Sequence, residues 1–194
     1  MKTLLLDSSN TDLNIAICID NEMKYVVSYP CWQRQSELMI PELEKGLKEL
    51  NLSLKEFDEV ICGIGPGSYT GVRIALTIAK TICTLTKTKL KVVSSLRIMG
   101  DKESKYIALM NARSGRSYFG VYDKENVVVP DTIMTNDEVI EYINNHPDFE
   151  VICDYLYLEI SAKKPDILKG LLSFKDIIEP VEDVLSIKPV YLKD

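Results

Sequence analysis

The order of strand-like and helix-like apolar patterns limits the fold of this chain more than any other feature of its sequence. In the first half, extended apolar runs between tight polar turns alternate with segments in which apolar residues recur every three or four positions. The predicted strands lie at 4–6, 13–19, 24–29, 59–63 and 90–93, and the predicted helices lie at 34–50 and 70–87. Pro41 favours a first helix that begins near it or bends there. The first half is therefore predicted to follow the order βββαβα.

The second half repeats this order in its elements, although not in its residues. Strands are predicted at 106–110, 118–122, 127–129 and 151–153, and helices at 136–144 and, divided by Pro165, at 159–172. Thr135 or Asn136 is the candidate N-cap of the first of these helices. Two tandem βββαβα units are typical of α/β proteins with the actin-like ATPase (ribonuclease H-like) fold. The charged stretch at 101–103 marks the boundary, which predicts an N-terminal lobe at 1–98 and a shortened C-terminal lobe at 99–194.

Composition and charge limit the classes of function open to this chain. Of its 194 residues, 46% are apolar and 27% are charged, which is typical of a soluble globular protein. The formal net charge is −6, whereas a protein that holds RNA or DNA by itself needs Lys and Arg to neutralise phosphates. No apolar run approaches the roughly 20 residues of a membrane-spanning helix. We therefore expect a cytoplasmic protein that makes no membrane contact and does not hold nucleic acid by itself.

The five cysteines predict neither disulfides nor a zinc site. Their number is odd, their spacings are wide, and no Cys-x-x-Cys or Cys-x-x-His pair occurs. Four of them, Cys18, Cys62, Cys83 and Cys153, lie inside apolar runs, where cysteine behaves as a small hydrophobic residue. We expect buried free thiols in a reducing compartment.

A glycine-rich segment at 63–73 joins a predicted strand to the second predicted helix. Its candidate contact residues are Gly65, Gly67, Ser68, Thr70 and Gly71. Glycine allows close approach of another backbone, and the N–H groups of a helix N-terminus can hold an anion. The segment lacks the third glycine of a dinucleotide-binding loop and the lysine of a Walker loop. Two interpretations stay open: a tight turn capped by Ser68 or Thr70, or a contact with an anion or nucleotide.

The helix predicted at 70–87 carries two apolar stripes, where a helix lying on a sheet needs only one. The first stripe consists of Val72, Ala75, Leu76, Ala79 and Cys83, and the second consists of Ile74, Ile78 and Leu85. The second stripe needs cover, either from the first helix or from another chain. We weigh these two explanations equally, and both can hold at once.

Residues that could catalyse a reaction are sparse. His146 is the single histidine, and it lies in a turn after a predicted helix. Ser68 is not the central serine of a G-x-S-x-G elbow, and no carboxylate–histidine cluster has the spacing of metal ligands. Asp7 ends the first strand, where actin-like ATPases place a catalytic carboxylate. The residues after it, Ser8-Ser9-Asn10, lack the glycine of their phosphate-binding hairpin, so we interpret Asp7 as a capping or turn residue.

Several segments together resemble the signature of the TsaB/YeaZ family. The glycine-rich segment at 65–73 carries this resemblance, and the other segments follow the family's order along the chain. They are Leu6-Asp7-Ser8-Ser9, Gln35-Ser36-Glu37-Leu38 with Pro41, Val93-Ser94-Ser95-Leu96, Asn111-Ala112-Arg113-Ser114-Gly115 with Tyr118, and Pro189-Val190-Tyr191-Leu192. Gln35 stands where the family usually has histidine, and Asn111 stands where it usually has aspartate.

The resemblance implies an actin-like fold of two lobes and a non-catalytic role in the synthesis of threonylcarbamoyladenosine in tRNA. Members of the family pair with a TsaD-like transferase, which carries the metal-binding histidines, and a TsaE-like ATPase joins the assembly. It implies no catalytic residue, metal or cofactor in this chain and only indirect contact with tRNA, while ATP or ADP at the partner interface stays open. Pairing uses the two helices of the first lobe. The expected interface residues are Glu37, Leu38, Pro41, Arg73, Ile74, Ile78, Lys80 and Leu85.

Two other classes of function compete with this scaffold subunit. A small ATP-binding enzyme of the actin-like fold would need a catalytic centre that the sequence does not display. A homodimeric binding module could use the same helical face, because an exposed apolar stripe can pair with itself about a two-fold axis. We expect a homodimer when the chain is alone.

Overall fold

The N-terminal half folds into a five-stranded mixed sheet with two helices. The computed structural model describes residues 1–31 and 33–192. The strands are β1 (Lys2–Asp7), β2 (Asp12–Ile19), β3 (Glu22–Pro30), β4 (Glu59–Gly63) and β5 (Lys89–Val93), and the helices are α1 (Gln35–Glu49) and α2 (Tyr69–Thr86). The strand order is β3-β2-β1-β4-β5. The first three strands are antiparallel neighbours, whereas β1, β4 and β5 run parallel.

The C-terminal half repeats this plan in a smaller form. Its strands are β6 (Lys105–Arg113), β7 (Arg116–Asp123), β8 (Asn126–Thr135) and β9 (Glu150–Cys153), and its helices are α3 (Asn136–Asn145) and α4 (Ile167–Ser173). The sheet order is β8-β7-β6-β9, so this sheet has four strands where the first has five. The predicted α/β fold with two tandem βββαβα units and a shortened second unit is confirmed.

Proline lies inside one helix and shortly before another, and the second of these begins later than predicted. The helix predicted over 159–172 is wrong in its first half: α4 begins at Ile167, after Pro165, and the Asp166 carboxylate accepts a hydrogen bond from the N–H of Lys169 at 3.1 Å. Helix α1 runs from Gln35 to Glu49, close to the predicted 34–50, and does not begin at Pro41, which was one of the two alternatives. It continues past this residue, which cannot donate a backbone hydrogen bond.

Strand β8 is longer than the predicted strand at 127–129. It runs from Asn126 to Thr135 and contains Pro130. Pro130 is tolerated because β8 lies at the edge of its sheet, where a missing N–H interrupts no second ladder. At the end of β8, Thr135 caps α3, and the Glu138 carboxylate accepts a hydrogen bond from the N–H of Thr135 at 2.8 Å. The predicted capping role of Thr135 is confirmed.

The alternation of side chains along the strands divides the apolar residues of the first sheet between two cores. Leu13, Ile15 and Ile17 of β2 enter one core with residues of α1 and α2. Ala16 and Cys18, on the opposite face of the same strand, enter a second core. The first sheet is therefore covered on both faces, and α1 and α2 share one of them.

The second core joins the two halves of the molecule. It contains Leu5 and Ile61 of the first sheet, Tyr106 and Ala108 of β6, and Leu171 of α4. Because both sheets contribute buried side chains to one cluster, α4 buries its apolar residues against both at once. The boundary between lobes at residue 98 stays a prediction, and residues 193–194 of the second predicted lobe lie outside the described part.

The segment after α4 returns to the first sheet. The N–H of Val181 donates to the carbonyl of Leu90 at 2.8 Å, and the N–H of Val190 donates to the carbonyl of Ile64 at 2.7 Å. We call residues 181–191 the C-terminal tail. The tail belongs to the second half in sequence but packs on the first half in space.

All five cysteines are buried free thiols, as the sequence predicts. Burial raises the pKa of Cys83 and Cys153 to about 12, because a thiolate loses hydration inside an apolar core. Within the described residues, no helix combines the length and apolar character needed to cross a membrane.

Gly170 tests how tightly α4 is held between the sheets. A Cβ at this position would lie 1.9 Å from the carbonyl oxygen of Ile98 and 2.8 Å from that of Gly100. Gly170→Ala therefore has to displace backbone, and we expect it to lower the free energy of unfolding by about 1–3 kcal/mol in urea denaturation. Glu179→Ala, at an exposed position beyond α4, is the control. Equal stability of the two variants would contradict the tight contact.

Candidate functional site

The glycine-rich segment packs against the turn that follows β1. The N–H of Ser68 donates to the carbonyl of Ser9 at 2.6 Å, and the Ser8 hydroxyl donates to the carbonyl of Gly71 at 2.7 Å. A Cβ at Gly71 would lie 1.9 Å from the Ser8 carbonyl oxygen, and one at Gly67 would lie 2.3 Å from that of Ser9. Glycine is therefore required at both positions, because two backbone segments meet there without room for a side chain.

Ser68 caps α2, which was one of the two interpretations of this segment. Its hydroxyl accepts a hydrogen bond from the N–H of Gly71 at 3.2 Å, and Thr70 lies inside the helix. The N–H of Gly65 donates to the Ser95 hydroxyl at 2.9 Å. The loop amides of Gly65 and Ser68 therefore already have protein partners. Contact with an anion stays a prediction for the segment.

Asp7 is a buried carboxyl group at the end of β1. One oxygen, Oδ1, accepts hydrogen bonds from the N–H of Ser9 at 3.1 Å and from the Ser9 hydroxyl at 3.0 Å. The other oxygen, Oδ2, is buried without a hydrogen-bond partner, and a Cβ at Gly63 would lie 2.1 Å from it. Burial raises the pKa of Asp7 to about 6. Its hydrogen bonds agree with the predicted turn role, and its side chain is sealed from solvent.

The residues predicted for the partner interface lie on α1 and α2, and they differ in exposure. Glu37, Pro41, Arg73 and Leu85 are exposed, whereas Leu38, Ile74, Ile78 and Lys80 are half-buried. The first apolar stripe of α2 is buried as expected. In the second stripe, Ile74 and Ile78 pack against the core of the first lobe, while Leu85 is 77% exposed.

The C-terminal tail covers part of α2, which the sequence analysis missed. The Lys80 ammonium donates to the carbonyls of Leu185 and Ile187 at 2.8 and 2.7 Å. The Nε–H of Arg73 donates to the hydroxyl of Tyr191 at 2.6 Å. Two of the predicted interface residues are thus held by the chain itself. The apolar spacing of the tail was the one sign in the sequence that it packs on another element. The groups of the tail that bind Lys80 are backbone carbonyls, which no residue pattern identifies.

Aromatic contacts extend the attachment of the tail to the start of α2. The rings of Tyr69 and Tyr191 stack with centroids 5.1 Å apart, and the Arg73 guanidinium lies 3.9 Å from the centroid of the Tyr69 ring. Tyr69 nevertheless remains 58% exposed. The tail is therefore a third element that packs on α2, in addition to the two sources of cover considered from the sequence.

Gln35 and Asn111, the two departures from the family pattern, both serve local structure. Gln35 is buried, and its amide donates to the carbonyl of Asn10 at 3.3 Å. The Asn111 carbonyl oxygen accepts from the N–H of Arg113 at 2.7 Å. The Gln35 side chain therefore points inward, towards the turn after β1, and not outward into solvent.

The remaining catalytic candidate, His146, lies at the C-terminal end of α3. Its Nδ1 is 2.8 Å from the carbonyl of Tyr142, and the two rings stack with centroids 3.9 Å apart. Among residues 1–31 and 33–192, no group of three or more His, Cys, Asp or Glu side chains could hold a metal ion. His146 is accordingly placed as a turn residue.

Comparison with known proteins gives a family match and relatives of similar sequence. The matching family model is described as TsaD: tRNA N6-adenosine threonylcarbamoyltransferase, and it matches residues 30–147. The chain is 29% identical over 141 residues to the tRNA threonylcarbamoyladenosine biosynthesis protein TsaB of Bacillus subtilis, covering 68% of this chain and 61% of that protein. It is 29% identical over 195 residues to the uncharacterized protein MG208 of Mycoplasma genitalium, covering 98% and 94%.

A solved structure matches the fold over nearly the whole chain. YeaZ from Pseudomonas aeruginosa superposes with a TM-score of 0.78 at 20% identity, covering 98% of this chain and 99% of that one. At this identity the match shows the shared fold. The sequence match to the Bacillus subtilis relative spans about three fifths of that protein's length.

The pH dependence of stability tests the burial of Asp7. Its pKa of about 6 in the folded state lies above that of the unfolded chain, so ionisation destabilises the fold as the pH rises. Asp7→Asn removes this penalty. Relative to the wild type, we expect the variant to gain roughly 2 kcal/mol of unfolding free energy between about pH 4 and about pH 7.5 in urea denaturation.

Asp148→Asn, at an exposed turn position, is the matched control for this measurement. The stability of this variant is compared with that of Asp7→Asn at each pH. An equal dependence on pH in the two variants would contradict the effect of burial at Asp7.

Proposed function

The chain belongs to the family described as TsaD: tRNA N6-adenosine threonylcarbamoyltransferase, with TsaB/YeaZ proteins as its relatives, and on this premise we propose that it is a non-catalytic scaffold subunit of tRNA threonylcarbamoyladenosine biosynthesis. Its partner in this proposal is a TsaD-like threonylcarbamoyltransferase. The Bacillus subtilis relative is named as a tRNA threonylcarbamoyladenosine biosynthesis protein, which supports the pathway.

The state of Asp7 supports a role without catalysis. In the actin-like fold a carboxylate at the end of the first strand must reach a bound phosphate, but here Asp7 is fully buried. The turn that follows β1 is filled by the backbone of the glycine-rich segment, which approaches Ser8 and Ser9 with no room for a side chain. A phosphate group would have to displace this packing. In this proposal the chemistry belongs to the partner subunit.

The exposed apolar residues of α1 and α2 carry the proposal for the partner surface. Leu85 is 77% exposed and Ile40 is 43% exposed, on two helices that lie against the same core. Large apolar side chains that are exposed on helices are typical of protein interfaces when a partner covers them. In isolation, the same face would form a homodimer about a two-fold axis.

The net charge of −6 supports an indirect role with respect to tRNA, because the basic surface that neutralises phosphates would come from the partner. In this proposal the subunit works in the cytoplasm, and a TsaE-like ATPase joins the complex. Any ATP or ADP would be held at the interface with the TsaD-like protein and would not be hydrolysed by this chain alone.

Leu85→Asp tests the partner surface without disturbing the core. Ile74 and Ile78 are less suitable positions, since both pack against the core of the first lobe. A carboxylate at an exposed contact position should weaken pairing with the cognate TsaD-like protein about 30-fold or more, as expected for the loss of an interface hot spot. Size-exclusion chromatography with light scattering measures pairing, and a tRNA threonylcarbamoylation assay measures dependence on this chain.

Leu156→Asp is the matched control, because Leu156 is 67% exposed but lies in the second half of the molecule. It should leave both pairing and modification unchanged. Loss of pairing in the control with full pairing in Leu85→Asp would move the interface to the second lobe. A wild-type chain that forms no complex and does not support modification would contradict the scaffold role.

A further inference from the structure

A cleft of about 420 Å³ lies between the strands β2 and β3 and the segment that leads into α4. It is on the side of the first sheet that faces α4, away from α1 and α2. Among its lining residues are Asp12 and Asn14 of β2, Val26 of β3, and Asp154, Lys164 and Asp166 of the segment between β9 and α4. The proposed partner surface contributes none of these residues, so the cleft is a separate feature.

Asn14 presents an unused hydrogen-bond donor in this cleft. Its side chain is 1% exposed, and its Oδ1 accepts a hydrogen bond from the Ser28 hydroxyl at 2.8 Å. Its Nδ2 is buried without a hydrogen-bond partner. A buried donor without a partner costs roughly 1–3 kcal/mol, and a ligand that brings an acceptor into the cleft would remove this cost.

Acidic groups dominate the charge of the cleft. Asp12, Asp154 and Asp166 contribute three carboxyl groups, against one ammonium group from Lys164. The Lys164 ammonium lies 3.8 Å from the Asp12 carboxylate, but 70% of the Lys164 side chain is exposed. The α4 cap is Asp166, whose Oδ1 accepts from the N–H of Lys169. Asp12 and Asp154 are half-buried whereas Asp166 is exposed, so their carboxylates are better placed to receive a cation. Oδ1 of Asp154 accepts from the N–H of Tyr155 at 3.0 Å, so Oδ2 is the oxygen of Asp154 that would meet the cation.

Apolar residues form the other wall. Val26 lines the cleft and is 52% exposed, and Met23 lines it from the same strand, β3. An alkyl chain placed against these side chains would bury apolar surface that now faces water. The cleft thus combines a negative end, an apolar wall and one unpaired donor.

We propose that this cleft binds a small organic cation, with an ammonium or guanidinium group against Asp12 and Asp154, an alkyl chain against Met23 and Val26, and an acceptor that receives the Asn14 amide. The same carboxylates repel phosphate, so the ligand class differs from the nucleotides that the fold suggests. The proposal does not depend on the scaffold function.

L-Argininamide is the probe, because it carries a guanidinium group, an alkyl chain and a carbonyl acceptor. Isothermal titration calorimetry of the full chain should detect its binding, and L-citrullinamide, its uncharged isostere, should not bind. Asp154→Asn should weaken argininamide binding by about tenfold or more, the usual cost of losing a charge-assisted hydrogen bond. Lys164→Ala should strengthen it, since the competing ammonium group is gone.

Asp148→Asn, which changes an exposed carboxyl group outside the cleft, should leave argininamide binding unchanged. Equal binding of citrullinamide, equal effects of Asp148→Asn and Asp154→Asn, or no binding of argininamide would each overturn the proposal. Tighter binding of an acetylated Gly-Arg-Gly amide than of argininamide would also overturn it, because the natural occupant would then be a protein side chain. Thermal unfolding of each variant confirms that it is folded before titration.

Discussion

The shared core around α4 is the constraint on which the arrangement of this molecule depends. Apolar residues of both sheets enter one buried cluster with Leu168 and Leu171 of α4, so neither sheet completes its core alone. Gly170 of α4 lies directly against the carbonyl of Ile98, without room for a side chain. This close packing fixes the position of α4. The cleft beside the N-terminal end of α4 and the return path of the chain to the first lobe both follow from that position.

A second constraint is the close approach of two backbones between the turn after β1 and the glycine-rich segment. That contact makes glycine necessary at positions 67 and 71, because the Ser8 and Ser9 carbonyls lie where their side chains would be. Asp7, which ends β1, lies beside Gly63 for the same reason. The glycines, which resemble a ligand-binding loop in sequence, therefore have a packing role in the fold.

Most of the fold could be predicted from the sequence because its elements have strong local patterns. The limits of β4 match the predicted 59–63, and α2 differs from its prediction by one residue at each end. The errors arose where tertiary context prevails over local pattern. The strand predicted at 127–129 continues through Pro130 to Thr135, because an edge strand accepts proline. The helix predicted over 159–172 begins only at Ile167, after Pro165.

The candidate site was less predictable than the fold. Leu85 is exposed, whereas Ile74 and Ile78 pack against the core, although all three belong to one apolar stripe in the sequence. Attachment of the tail depends on backbone carbonyls of Leu185 and Ile187, which any residue would provide. The unpaired amide of Asn14 is likewise invisible in sequence, because it depends on which neighbours a folded strand brings near.

The attachment of the tail to α2 has a consequence for the timing of biosynthesis. Arg73 and Tyr191 are 118 residues apart in the chain, and translation proceeds at about 5–20 residues per second. Arg73 is therefore synthesised roughly 6–24 seconds before Tyr191. During that interval Arg73 and Lys80 lack the contacts that the tail makes in the finished protein, so a nascent chain presents a more open α2 surface than the finished protein does.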